Sequence, residues 1–144
     1  MTTIAWDGTT LAADRAAWSN GMKYRVRKVH KVYALDGRTF LVALAGDGHF
    51  APSLLKWMRG GQHPGKSPDE HATIAIVIDE KRRVWRMSSD SLCYCQVLEK
   101  VHASGAGQDF AIGALEAGAT AVQAIKIAAK RSDMAGLGVD SVRF

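Results

Sequence analysis

The order of the apolar segments constrains the fold of this chain more than any single motif does. Short strand-like runs come first, two alanine-rich helical segments follow them, and one more strand-like run ends the sequence. The continuously apolar run Thr39–Ala45 predicts a buried strand, and residues 108–117 and 120–130 predict helices with an apolar face. Because strands that precede helices imply helices stacked on paired sheets, we expect an α+β fold.

The remaining segments are assigned from the same patterns. Residues 50–59 predict a helix that Gly60-Gly61 ends, and the Gly- and Pro-rich stretch 60–68 predicts a loop. Further strands are expected at residues 73–79, 84–88, 92–97 and 139–144.

The first residues of the chain contain a hairpin signal. Asp7-Gly8 lies between two alternating runs, which is typical of a two-residue type I′ turn. With this turn, Thr2 would pair with Ala13 and would lie beside Asp14, since opposed side chains in a hairpin are about 5 Å apart. Asp14 is the only acid in the second predicted strand.

Thr2 carries a nucleophile and a base once Met1 is removed. Met1 precedes a small residue, so we expect its removal to leave Thr2 at the amino terminus. The free α-amine titrates at roughly 7.7–8.0, so it can accept the proton of the hydroxyl on the same residue. Two other interpretations stay open: Thr2 is an ordinary second residue, and Asp14 is a strand-end carboxylate paired with Arg15.

The segment 23–33 is rich in Lys, Arg and His. Period-two sorting of this segment as a strand places Lys28 between Val26 and Val32 on the less polar face. A lysine there is costly unless it is paired or useful. Beside a carboxylate it would stay charged, and beside another cation its pKa would fall. Either way Lys28 could assist a hydroxyl, although the segment could also be a nucleic-acid patch or a solvated face.

Four short motifs follow one another in the first 50 residues: Thr2-Thr3-Ile4, Ala12-Ala13-Asp14-Arg15, Arg27-Lys28-Val29 and Leu44-Ala45-Gly46-Asp47. Taken in order, they resemble those of proteasome β-subunits and the HslV peptidase, and in particular the small beta-proteobacterial proteasome homologues. The resemblance covers nearly the whole chain. It implies the four-layer αββα sandwich of antiparallel sheets found in amino-terminal-nucleophile (Ntn) hydrolases, as a single domain over residues 1–144.

The same resemblance implies a role for each site residue. Thr2 would be the nucleophile, Asp14 and Lys28 would complete the active site, and the N–H of Gly46 would help to hold the oxyanion. Asp133 matches an aspartate that the family carries late in its sequence, and the resemblance implies that it belongs to the catalytic set. Because the pocket lining is small and mostly neutral, we expect apolar side chains to be preferred over acidic ones before the scissile bond. The residues matching that pocket are Ala17, Val26, His30 and Leu44.

Two positions depart from the family pattern. The stretch Gly105-Ala106-Gly107 stands where the family has Gly-Ser-Gly. Gly136, three residues after Asp133, stands where the family usually has serine. Both departures remove hydroxyl groups that are thought to tune the amine and relay its proton.

We therefore expect a threonine-type peptidase that hydrolyses peptide bonds inside a homo-oligomeric assembly of stacked rings. Its substrates would be peptides or unfolded proteins, and an ATPase unfoldase could dock on it. Two alternatives remain: a ring chamber that is proteolytically weak or inert, and an Ntn amidohydrolase that acts on small amides.

Composition excludes several other classes. The net charge of +5 permits weak binding to polyanions, but no nucleic-acid motif accompanies it, so we expect no specific nucleic-acid partner. No apolar run approaches the roughly 18–20 residues of a membrane span, and Asp7 and Asp14 interrupt any secretory signal, so we expect a cytoplasmic protein. Cys93 and Cys95 cannot complete a zinc cluster. We expect both to be reduced core residues, and we expect neither metal nor cofactor.

Overall fold

Two antiparallel sheets form the centre of the computed structural model, which describes residues 2–46, 48, 50–65, 73–88 and 94–144. The strands of the first sheet are β1 (Thr3–Trp6), β2 (Leu11–Asp14), β10 (His102–Gly105) and β11 (Val139–Val142). Their order across the sheet is β10-β1-β2-β11.

The second sheet has five strands in sequential order. They are β5 (Val29–Tyr33), β6 (Thr39–Ala45), β7 (Ile74–Ile78), β8 (Val84–Ser88) and β9 (Tyr94–Val97). A separate two-stranded hairpin, formed by β3 (Ala16–Ser19) and β4 (Met22–Arg25), connects the two sheets along the chain.

Three helices cover the outer faces of the sheets. Helices α2 (Gln108–Glu116) and α3 (Ala121–Arg131) pack on the first sheet, and α1 (Ala51–Met58) packs on the second. The layers therefore follow the order helix, sheet, sheet, helix, which confirms the predicted αββα sandwich. None of the described helices is long and apolar enough to span a membrane.

Apolar side chains fill each interface between the layers. Burial of such side chains is the main favourable term in folding, at roughly 25 cal/mol per Å² of apolar surface. The cluster between the sheets includes Ile4, Trp6, Leu11, Leu41, Ile76 and Ile78. The α1 interface includes Val42, Leu44, Leu54 and Leu55, and the α2–α3 interface is mostly alanine with Leu115 and Ile125.

The loop between β1 and β2 is longer than the sequence predicts. Trp6 pairs with Leu11, so the loop contains residues 7–10 and not the two residues of a type I′ turn. The predicted pairing of Thr2 with Ala13 is therefore wrong, because Ala13 pairs with Ile4. The register is shifted by two residues.

The Asp7 side chain explains the longer loop. One carboxylate oxygen accepts hydrogen bonds from the N–H groups of Thr9 at 2.9 Å and Thr10 at 2.8 Å. The other accepts a hydrogen bond from the N–H of Ala121 at 2.8 Å. Asp7 thus accepts hydrogen bonds from backbone N–H groups of the loop and of the first turn of α3, as aspartates often do in turns and at helix starts.

The segment 23–33 is not one strand. Strand β4 ends at Arg25 and β5 begins at Val29, because the chain crosses here from the hairpin to the second sheet. The alternation assumed from the sequence therefore does not run through the segment. Lys28 lies in the crossing, where its carbonyl accepts a hydrogen bond from the N–H of Leu44 at 2.9 Å.

The other predicted elements agree with the structure to within two residues at each described end. Strands β6 and β8 have the predicted bounds. Residues 66–68 of the predicted loop and residues 92–93 of the predicted strand lie outside the described residues. Cys95 is exposed, so the expectation of a core cysteine is wrong there, and Cys93 lies outside the described residues.

Strand β1 lies inside its sheet, between β2 and β10. At its start, Thr3 pairs with Gly105, and the N–H of Ala106 donates to the carbonyl of Thr2 at 2.7 Å. Gly105 has a φ of +96°, and a Cβ at this position would overlap the Thr2 carbonyl. Only glycine allows this close approach of the two strands.

We predict that Gly105→Ala destabilises the protein by about 2–4 kcal/mol, because it adds an overlap with backbone to an unfavourable left-handed φ. Gly113→Ala is the matched control, since Gly113 lies in α2 with open space around its Cβ position and alanine favours a helix by about 0.5–1 kcal/mol. Urea unfolding measures both. Equal stability of the two variants would contradict the close approach.

Candidate active site

The carboxylate of Asp14 collects hydrogen bonds from four parts of the chain. It lies at the end of β2 and is fully buried. Its Oδ1 accepts from the backbone N–H of Thr3 at 2.8 Å and from the Lys28 ammonium at 3.0 Å. Its Oδ2 accepts from the N–H of Ala16 at 3.0 Å and of Gly136 at 3.2 Å. A buried carboxylate is stable only with such compensation.

Lys28 is the cation of this site. Its side chain is 6% exposed, and its Nζ also donates to the carbonyl of Ala16 at 2.6 Å. Burial lowers the pKa of Lys28 below its usual value, while the charge and hydrogen bond of Asp14 act in the opposite direction. Both partners of this ion pair are buried. Removing one of them therefore costs more stability than breaking an exposed ion pair, which contributes little.

Hydrogen bonds of the backbone hold the start of β1 next to this ion pair. Thr3 N and Lys28 Nζ share one carboxylate oxygen, so they lie within two hydrogen-bond lengths of each other. Thr2 is buried, and its peptide bond to Thr3 includes the Thr3 nitrogen. Its carbonyl is fixed by Ala106, and the Thr3 hydroxyl accepts from the N–H of Gly107 at 3.1 Å. The structure thus brings the residues around Thr2, Asp14 and Lys28 together.

Gly46 follows β6 directly. The N–H of Leu44 donates to the carbonyl of Lys28, so Gly46 lies two residues beyond the point where β6 meets the lysine. Gly46 is exposed and has a φ of +103°, a conformation that glycine adopts readily. Its backbone turns at the end of the strand.

Asp133 is exposed in the turn after α3. Three residues later, Gly136 reaches the Asp14 carboxylate with its N–H. In the described part of the chain, no hydrogen bond or ion pair joins Asp133 to Asp14 or Lys28. The structure therefore places Asp133 in the loop that contacts the site, without a direct bond to the ion pair.

Of the four residues predicted to line a pocket, Leu44 donates to the carbonyl of Lys28, and Ala17 follows Ala16, whose carbonyl accepts from the Lys28 ammonium. Val26 and His30 lie two residues before and after Lys28 and are half-buried, as is Ala17 in β3. Leu44 is buried and packs in the cluster under α1. Burial lowers the pKa of His30 below its usual value, so the imidazole is neutral at pH 7.

Three donors of this site were missed from the sequence, namely the backbone N–H groups of Thr3, Ala16 and Gly136. Backbone groups have no residue-type signature, so only the glycine at 136 could have given a signal. Its φ of +142° disfavours other residues. Within the described residues, no group of three or more His, Cys, Asp or Glu side chains could hold a metal ion.

Comparisons with known proteins bear on the fold. No protein-family model matches the sequence, and no curated protein matches it. Among solved structures, BPH of Thiobacillus denitrificans matches with a TM-score of 0.69 and 19% identity, over 99% of this chain and 96% of that chain. HslV of Trypanosoma brucei matches with a TM-score of 0.66 and 16% identity, over 99% and 98%.

A third similar structure is Anbu, described as an ancestral beta-subunit, from Yersinia bercovieri. It matches with a TM-score of 0.70 and 11% identity, over 100% of this chain and 81% of that chain. The chain has the proteasome-like Ntn-hydrolase fold. Because these sequence identities are low, the structural similarity shows only that the fold is shared. The Thiobacillus protein was also solved in complex with epoxomicin, and the Anbu complex of Pseudomonas aeruginosa was solved as a helical assembly.

We predict that Asp14→Asn and Lys28→Met each destabilise the Ntn-hydrolase fold by about 3–5 kcal/mol, because each change leaves the other buried group without its partner. Asp36→Asn is the control. It removes one charge from the exposed Asp36–Arg38 pair and is expected to leave the urea midpoint unchanged. A similar midpoint for all three variants would mean that the buried pair does not stabilise the site.

Proposed function

We propose that this chain is a proteasome-type threonine peptidase subunit in which Thr2, freed from Met1, is the nucleophile. The observation that supports this proposal is the shared oxygen of Asp14, which binds both the Thr3 N–H and the Lys28 ammonium. It holds a buried cation beside the first residues of β1. A nucleophilic hydroxyl needs such a positive charge as its oxygen loses a proton.

In the proposed reaction, the Thr2 hydroxyl oxygen attacks the carbonyl carbon of a peptide bond. The α-amine of Thr2, directly or through water, takes the hydroxyl proton and passes it to the leaving amine. The resulting ester on Thr2 is then hydrolysed by water, which restores the hydroxyl and releases the carboxylate product. Lys28, oriented by Asp14, lowers the energy of the developing alkoxide.

Gly46 and Asp133 enter the proposal in different ways. The Gly46 N–H would hold the oxyanion, and losing one such donor typically costs about 10²–10³ in rate. The exposed turn at the end of β6 supports this role, because it leaves the Gly46 backbone accessible. Asp133 is assigned to the catalytic set through the resemblance alone.

We predict that processed protein hydrolyses peptide amides, that Thr2→Ala abolishes turnover, and that Thr2→Ser retains part of it. Serine keeps a hydroxyl beside the α-amine, whereas alanine removes the nucleophile. Intact-mass spectrometry should show the loss of one methionine residue. Epoxomicin should add its mass to the wild-type protein and not to Thr2→Ala. Equal turnover by wild type and Thr2→Ala would remove Thr2 from the mechanism.

The proposed pocket favours apolar side chains before the scissile bond. Its residues Ala17, Val26 and Leu44 are apolar, and His30 is neutral at pH 7 because burial lowers its pKa. We predict that a peptide library is cleaved after apolar residues, with kcat/KM for Asp or Glu at that position lower by at least about tenfold, as an unpaired charge in an apolar pocket requires. Preferential cleavage after acidic residues would overturn this assignment of the pocket.

We also propose that the subunit, a single domain, works in the cytoplasm as part of a homo-oligomer of stacked rings. Anbu, which has a similar fold, was solved as a helical assembly, and this supports assembly of the present chain. An ATPase unfoldase that delivers unfolded proteins belongs to the same proposal. Mass photometry of the processed protein measures the number of subunits.

One observation favours a second candidate, a proteolytically inert assembly. Ala106 binds the Thr2 carbonyl through its N–H, but its methyl group cannot relay a proton. Ser104 does not replace the missing hydroxyl, since it is buried in β10 opposite Ile4. An assembled protein that retains Met1 and takes up no epoxomicin would support this second function.

A further inference from the structure

The excess positive charge of the chain is concentrated in one segment. The chain has 19 Lys and Arg residues and 14 Asp and Glu residues, and six of the basic residues but none of the acidic ones lie between Arg15 and Leu35. Outside this segment the two signs nearly balance. The segment contains the β3–β4 hairpin and the crossing to β5.

Three of these cations form a group that we call the basic arm: Lys23 and Arg25 of β4, and Arg27 just after it. All three are exposed. In the described part of the chain none of them forms an ion pair. Arg15 and Lys28 differ from them, because Arg15 pairs with Asp140 and Lys28 pairs with Asp14. The basic arm therefore has charge available for a partner.

The hairpin that carries the basic arm also exposes large apolar side chains. Trp18 is 41% exposed, Met22 71% and Tyr24 45%. The Lys23 ammonium lies 4.9 Å from the centre of the Trp18 ring, a distance at which the ring attracts the cation. Aromatic residues, methionine and arginine are enriched in surfaces that bind protein partners.

The basic arm is continuous with the proposed active site. Strand β3 begins two residues after Asp14, and its first residue, Ala16, bonds both partners of the buried ion pair. A Cβ on Gly136 would lie 3.6 Å from the Lys23 ammonium, and the N–H of Gly136 reaches Asp14. Lys23 is thus close to the site on the scale of the roughly 8 Å over which charges act at physiological salt.

We propose that the basic arm binds acidic stretches of the polypeptide substrate while the scissile bond lies at Thr2. The proposal rests on the proposed peptidase function and adds a substrate class to it. Arginine guanidinium groups match the two oxygens of a carboxylate, and Lys23 adds a third cation near the site. The acidic stretch binds outside the apolar pocket, so the two preferences act on different parts of one substrate.

The two faces of the hairpin favour carboxylates over nucleic-acid bases. Trp18 pairs with Lys23, and Ala17 pairs with Tyr24. Because neighbouring residues of a strand point to opposite faces, Trp18 and Tyr24 lie on different faces. Successive bases of one single strand cannot stack on both rings, as proteins that bind single strands require. Binding by charge to flexible acidic peptide has no such requirement.

The test uses two peptides with the same cleavable core, one extended by four glutamates and the other by four glutamines. We expect wild type to show a kcat/KM about tenfold higher for the glutamate peptide at low salt, the low end of what electrostatic steering provides. The ratio should fall toward one at high salt, since salt screens exposed charges. A ratio of one at low salt would overturn the proposal.

The variant K23Q/R25Q/R27Q should lower the ratio to about one without changing kcat/KM for the glutamine peptide. The matched control is K126Q/K130Q/R131Q, which removes the same charge from the exposed side of α3. The control should keep the ratio of wild type. An equal loss of preference in both variants would mean that net charge, and not the basic arm, attracts the peptide.

A binding measurement that needs no turnover distinguishes failure of the peptidase proposal from failure of the docking proposal. Fluorescence anisotropy follows a labelled glutamate peptide on Thr2→Ala, with and without the three substitutions in the basic arm. If wild type cleaves nothing while the arm still governs binding, the peptidase proposal fails and the docking proposal stands. If cleavage occurs and binding is independent of the arm, the docking proposal alone fails.

Two other occupants of the basic arm are outcomes of the same experiments. A single-stranded oligonucleotide that displaces the glutamate peptide and binds more tightly through the same three residues would overturn the peptide assignment. A change of subunit number in K23Q/R25Q/R27Q, measured by mass photometry, would show that the hairpin contacts a second copy of the chain. That result would also overturn the proposal.

Discussion

The buried carboxylate of Asp14 is the interaction on which the rest of the site depends. Its four donors come from β1, from the start of β3, from the crossing before β5 and from the loop before β11. The two oxygen atoms of Asp14 therefore join these parts of the chain through hydrogen bonds. A charge in this position is costly unless every oxygen is satisfied. The need to satisfy both oxygens of Asp14 therefore determines how these four segments are arranged around the site.

The apolar layers could be predicted because they follow from residue type. The run Thr39–Ala45 has the same bounds in the sequence and in the structure, since a central strand buried on both faces leaves no polar position to interrupt it. Helix α3 was predicted to within a residue, because its apolar residues recur at helical spacing. The structure adds a capping box of Thr120 and Gln123 at its start.

Two local features could not be predicted, for different reasons. The loop after β1 depends on Asp7 bonding Ala121, a residue 114 positions away, and short-range turn rules contain no such partner. The segment 23–33 was misread as one strand, because β4 belongs to a hairpin exposed on both faces. Alternation of side chains identifies a strand only when one face is buried.

The side chains of the site were recognisable, but its supporting backbone was not. Asp14 was singled out as the only acid of its predicted strand, and Lys28 through an alternation that the structure does not show. The structure nevertheless joins the two side chains. Nothing in the residue types indicated that Ala16 would bond both partners. The apparent loss of a serine at Gly136 also changes its meaning, because the glycine contributes an N–H to Asp14 in a conformation that serine would strain.

The central position of β1 has a consequence for folding during synthesis. Thr3 meets Gly107 across 104 positions of sequence, and the outer neighbour of β2 is the strand that begins at Val139. Contacts at such separation form slowly, because a long loop must close first. The first sheet is therefore completed only after the segments that contain β10 and β11 have been synthesised.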